Sequence, residues 1–141
     1  MKTIIVYKTR LGGSKLYAEW LSEALKASVM TFEAAGAEEL KAADSVAVIS
    51  GTYAGQMPLK SFIKKHWSIL KDKKVAAVAL GGIGPEHKWS RFSYWLLPRK
   101  IKKYVRYFKI PGQLEGGKPV EWGELKREHL EPVISYLKEM K

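Results

Sequence analysis

The sequence predicts an open, doubly wound α/β fold, a parallel sheet of roughly five strands with helices on both faces, built as a single domain over residues 1–141. Three observations predict it. Short runs rich in Val, Ile and Ala alternate with amphipathic stretches along the whole chain. The apolar runs are continuous, as strands covered on both faces require, where a strand with one wet face would alternate. Three Gly-rich loops each directly follow one of those runs, at the edge where an open α/β sheet holds its ligand.

The first strand is Thr3 to Tyr7, and the stretch KTRLGGSK separates it from a helical run, LYAEWLSEALKA, whose apolar face is Tyr17, Trp20, Leu21, Ala24 and Leu25. Val29 to Phe32 reads as the second strand. The connection after it, EAAGAEELKAAD, is too brief for more than a short helix. Val46 to Ile49 is the third strand, followed by SGTYAGQMP. Pro58 then opens a helix with Leu59, Phe62, Ile63, His66, Trp67 and Leu70 at offsets of three and four. Val75 to Leu80 is the fourth strand and leads into GGIGPEHKW. Trp89 to Leu97 and Arg99 to Val105 read as two helical pieces with Pro98 at the first turn of the second. Trp89, Phe92 and Leu96 share a face that Ile101, Tyr104 and Val105 continue. The fifth strand is expected within Val105 to Leu114, and a last helix carries Leu130, Val133, Ile134 and Leu137. Strand and helix in this order imply right-handed crossovers, and no repeat or low-complexity linker interrupts them.

Composition removes several chemistries. With 46% hydrophobic residues the 141-residue chain buries one core. There is no Cys, so disulfides, iron–sulfur clusters and Cys-bound zinc are excluded, and redox chemistry would have to come from a bound organic cofactor or haem. His66, His87 and His129 lack metal-ligand spacing, so no metal site is expected. No apolar run approaches the roughly 18 residues that cross a bilayer, and the N-terminus is not a signal peptide, so a cytoplasmic location is expected. The net charge of +11 is unevenly placed. From His87 to Leu114 stand eight basic residues and no acid, whereas the rest of the chain carries 17 basic against 14 acidic residues.

The loops after strands one, three and four would meet at one crevice. In the first, small residues at a strand-to-helix turn let backbone N–H groups converge at the positive end of a helix, and Thr9 and Ser14 add uncharged donors. Such a turn cradles a phosphate. It lacks the Gly-Lys-Ser/Thr ending of nucleoside-triphosphate loops and the G-x-G-x-x-G dinucleotide fingerprint. The alternative is that Gly12 and Gly13 only make the turn and Ser14 only caps the helix. Gly51, Thr52, Tyr53, Ala54 and Gly55 would border one side of the crevice, and Gly81, Gly82, Ile83 and Gly84 the other. These glycines let backbone approach a flat ligand, with Tyr53 or Trp89 placed to lie against its face.

This arrangement resembles flavodoxins, in particular short-chain flavodoxin-like proteins, over essentially the whole chain. YKTRLGGSK is similar to the family's phosphate loop, Y-x-S/T-x-T-G-x-T. On that match Thr9, Gly12 and Ser14 take the family positions, and Arg10, Leu11 and Gly13 contribute backbone between them. Leu11 departs from the pattern, since a hydroxyl is usual there. SGTYAG resembles the loop bordering one side of the flavin, although one residue shorter, and LGGIG resembles the loop bordering the other. The resemblance implies FMN as cofactor. A looser similarity, carried by the opening KTIIVYKTRLGGSKLYAEWLSEAL and the later PEHKWSRFSYWLLPRKIKK, is to menaquinone-linked protoporphyrinogen dehydrogenases of the flavodoxin class.

Seven of the 16 aromatics fall between Trp89 and Phe108, interleaved with the basic residues. Three readings compete: core on one face with a solvated basic face, docking of Lys88 to Lys109 on an anionic membrane surface, and nucleic acid. Nucleic acid ranks last, because no binding motif accompanies the charge and the three ligand loops would stay unexplained. No residue presents itself as a general acid, base or nucleophile, so no catalytic residue is assigned. The expected function is an FMN-binding redox protein passing electrons between flavin and a redox partner protein, quinone or organic substrate. One alternative is a membrane-associated enzyme acting on a large flat substrate such as protoporphyrinogen. The other is a basic interaction module on a fold that has lost FMN.

Overall fold

Five parallel strands form one sheet in the order β2-β1-β3-β4-β5. A computed structural model of the chain describes residues 2–8, 13–51, 58–81, 105–111 and 125–139. The strands are β1 (Thr3–Lys8), β2 (Ser28–Thr31), β3 (Ser45–Gly51), β4 (Lys74–Gly81) and β5 (Val105–Pro111). Between them come α1 (Gly13–Leu25), α2 (Ala37–Ala42), α3 (Pro58–Lys65) and α4 (Trp67–Leu70). A 3₁₀ turn, Arg127–Leu130, leads into α5 (Glu131–Lys138).

Side-chain direction alternates along each strand, so the two faces of the sheet carry separate cores. Ile4, Val6, Val46, Val48, Val75 and Ala77 pack on one face under Leu40 of α2, Leu59, Phe62 and Ile63 of α3, and Leu70 of α4. Ile5, Ala47, Ile49, Ala76, Val78 and Leu80 pack on the other under Tyr17, Ala18 and Leu21 of α1 and Val133 and Leu137 of α5. This two-sided cover explains the unbroken apolar runs of β1, β3 and β4.

The outer strand β2 departs from that expectation. It borders only β1, and Val29 is 38% exposed, because an edge strand loses cover that its inner neighbours share. The expected helix from Leu59 to Leu70 is two helices, broken at His66, whose φ of −105° and ψ of 14° leave the helical range. The helix of LYAEWLSEALKA ends at Leu25 because Lys26 turns to a φ of 52°. Val105, expected to continue a helical face, opens β5, where it pairs with Val75. The remainder of the helical pieces expected between Trp89 and Val105 lies outside the described residues.

At the amino edge of the sheet two adjacent lysines hold helix ends. Lys73 Nζ donates to the carbonyls of Lys41 and Ala43 at 3.1 and 2.5 Å, at the C-terminal end of α2. Lys74 Nζ donates to the carbonyls of Tyr136 and Glu139 at 2.6 and 2.5 Å, at the C-terminal end of α5. Each supplies positive charge where the helix dipole is negative and the last carbonyls lack partners.

Candidate functional site

The parallel register brings the carboxyl ends of β1, β3 and β4 to one edge. Lys8 lies opposite Ser50, Gly51 opposite Leu80, and Gly81 opposite Pro111. Crossovers leave β1 and β3 on adjacent strands with helices on opposite faces, α1 on one and α3 on the other, which opens a crevice between their first turns. The three Gly-rich loops start from these strand ends.

Of the residues expected at this site, Gly13, Ser14, Gly51 and Gly81 are described. Gly13 and Ser14 form the first turn of α1 and are both buried, Ser14 with 4% of its surface exposed. The Ser14 hydroxyl has no hydrogen-bond partner among the described residues. No acid stands in the first turn of α1, so its free N–H groups and positive dipole end are not complemented by a side chain of that turn. Gly51 and Gly81 end β3 and β4. Thr9, Arg10, Leu11, Gly12, Thr52, Tyr53, Ala54, Gly55, Gly82, Ile83 and Gly84 lie outside the described residues.

Ser50, the first residue of the SGTYAG stretch, joins the site although the sequence assigns it no role there. It is fully buried at the end of β3, donating to the Gly51 carbonyl at 3.2 Å and accepting the Leu59 N–H at 3.1 Å. One hydroxyl thus ties the end of β3 to the first turn of α3, where it satisfies a donor of that turn. The signal for it in the sequence is faint: a hydroxyl beside the strand-ending glycine, eight residues before Pro58.

The flavodoxin domain model matches residues 4–117, most of the chain and all five strands except Thr3 at the start of β1. The chain belongs to the flavodoxin family. Solved structures agree on the fold. A flavodoxin from the domain Archaea aligns with a TM-score of 0.61 at 21% identity, covering 96% of this chain and 93% of that one. Oxidised flavodoxin 2 from Bacillus cereus aligns at 0.64 and 18% identity, covering 96% and 97%. The Trp repressor binding protein from Bacillus subtilis aligns at 0.68 and 16% identity, covering 99% and 100%. Among curated proteins, none matches this chain.

Within this flavodoxin domain the aromatic and basic segment contributes its last residues to β5. Tyr107 packs against the core of the α3 face and Phe108 against that of the α1 face. Lys109, half-buried directly after them in sequence, has its ammonium group pushed down to about 8 by burial. These three side chains therefore belong to the body of the domain. The part of the segment from Lys88 to Tyr104 lies outside the described residues. Among the described residues no cluster of His, Asp or Glu could hold a metal ion, and no helix is long and apolar enough to cross a membrane.

Proposed function

We propose that the protein binds FMN at the carboxyl edge of β1, β3 and β4 and passes electrons between the flavin and a partner, a redox protein or an organic acceptor such as a quinone. The observation that carries this reading is the first turn of α1: a serine with 4% of its surface exposed, whose hydroxyl has no hydrogen-bond partner among the described residues, beside a buried glycine, at a helix end with no acid in its first turn. That donor set fits a terminal phosphate, which would accept from Ser14 Oγ and the backbone N–H groups and complete the dipole. Membership of the flavodoxin family and the loops SGTYAG and LGGIG support a flat ring beside that phosphate. Bound flavin supplies the redox chemistry; the chain binds it, orients it and sets its surroundings. Ser50 contributes by holding the base of the loop after β3, and Gly51 and Gly81 by letting backbone come close at both borders.

Titration of the protein with FMN tests the reading. Saturable, stoichiometric binding is expected, with a yellow protein after desalting. FAD should bind at least about tenfold more weakly, since one phosphate cradle and no dinucleotide fingerprint are present. Ser14→Ala removes a hydrogen bond to a charged group and should weaken FMN by about tenfold or more. Equal affinity for FMN and FAD, or an unaffected Ser14→Ala protein, would sink the assignment of this turn as the phosphate cradle.

A further inference from the structure

On the same carboxyl edge, but on the β2 side of β1, the surface opens into a cleft of about 570 Å³. Lys8 at the end of β1, Phe32 and Glu33 after β2, and Phe62, Lys65 and His66 along α3 and its end line it. None of the described residues expected to hold the flavin does. Its volume lies within the range of small-molecule sites, roughly 300 to 1,000 Å³.

The floor is aromatic. Phe32 stacks on Phe62 with centroids 4.5 Å apart and planes at 27°, and Phe62 meets the His66 imidazole at 4.6 Å and 50°. Phe32 and His66 are half-buried and present their rings to the cleft on either side of Phe62, which is 6% exposed. The rim is basic. Among the described residues neither Lys8 nor Lys65 makes an ion pair, and no hydrogen bond engages the His66 ring. Burial, and then the charge of Lys65, holds His66 below its ordinary range, so near neutral pH the imidazole offers a donor and an acceptor instead of a charge. Glu33 is the single acid of the lining. Two ammonium groups against one carboxylate leave one positive charge to complement, which favours a monoanion over a phosphate-rich ligand.

We infer that the cleft between the ends of β1 and β2 and helix α3 is a second binding site for a planar aromatic monoanion, its ring on the Phe32–Phe62–His66 floor and its carboxylate at the Lys8 and Lys65 rim. Stacking on the floor supplies ring contact, and the rim selects the acid over its neutral analogue. The site goes beyond the flavin reading and does not depend on it.

The probe is 2-naphthoate, titrated into the full chain with and without saturating FMN and followed by amide chemical shifts. Saturable binding is expected, with shifts concentrated at residues 32–36 and 58–66 and the same affinity in both samples. The neutral analogue 2-naphthalenemethanol and the charge-reversed Lys65→Glu protein should each show affinity about tenfold lower. Ser61→Trp, an exposed position on the same wall, should fill the cleft and abolish binding while FMN affinity stays unchanged in both variants. Equal affinity for the neutral analogue, loss of naphthoate binding on FMN saturation, or the absence of localised shifts would overturn the inference. Naphthoate binding of the expected kind in a chain that fails to take up FMN would support the cleft while refuting the flavin reading.

Discussion

Lys26 stands at a φ of 52°, a left-handed conformation that costs a residue with a side chain about 1–2 kcal/mol. It adopts this conformation to end α1. Beyond it the Ala27 N–H donates to the Ser22 carbonyl at 3.2 Å and Ser22 Oγ donates to the Ala27 carbonyl at 2.6 Å, which ties down the helix end. Glycine suits such a position without strain, and the exposed Lys26 side chain has no packing to lose. Lys26→Gly is therefore expected to raise stability by about 1 kcal/mol, read as a rise of about 4 °C in Tm. A Tm that falls would mean that the added freedom of the unfolded chain outweighs the relief of strain. The sequence carries no sign of this stop, because LKAS contains neither Gly nor Asn, and the apolar pattern runs on toward Ala27.

At the scale of elements, the connection from β3 to α3 hangs on Ser50. In Ser50→Ala the buried Leu59 N–H loses its acceptor, which is expected to cost about 1–3 kcal/mol in urea denaturation. FMN affinity should fall with it, because the loop between Gly51 and Pro58 loses its closure. A cost below about 0.5 kcal/mol would indicate that another acceptor takes over the N–H. The strands themselves were legible: a run such as VAVIS is buried on both faces, and two-sided burial leaves an unbroken apolar signature. β2 misled because Val29 and Met30 read as interior while the order of strands puts them at an edge. The break at His66 was hidden because Leu59, Phe62, Ile63 and Leu70 keep one helical period across it. The turn before α1 was legible as a ligand site from two glycines and a serine between strand and helix. The cleft was not, since Phe32 and Phe62 meet only through the fold.

For the whole molecule, Lys109 and Tyr17 contribute opposite slopes in alkaline solution. Burial holds Lys109 at about 8 against an ordinary 10.5, so between those values the unfolded chain binds more protons and stability rises with pH. Burial pushes Tyr17 to about 12 against an ordinary 10, opposed by the Lys126 N–H that donates to its oxygen at 3.4 Å. Between those values the folded state keeps a proton the unfolded chain has released, and stability falls as pH rises. Tm should climb from pH 8 and turn over near about pH 10, the climb vanishing in Lys109→Met and the turnover weakening in Tyr17→Phe, where burial of Tyr136, which also holds its phenol above the ordinary value, leaves a remainder. A Tm that declines steadily from pH 8 in the unaltered protein would show that neither group governs this range. A different consequence attaches to Lys73 and Lys74, at the start of β4. Every hydrogen bond from Lys73 and Lys74 to the ends of α2 and α5 ends on a main-chain carbonyl, a group that no amino-acid substitution can delete. Lys41, Ala43, Tyr136 and Glu139 can therefore diverge in lineage after lineage with these four bonds still available, whereas a frameshift or early stop that removes Tyr136 onward releases Lys74 at once.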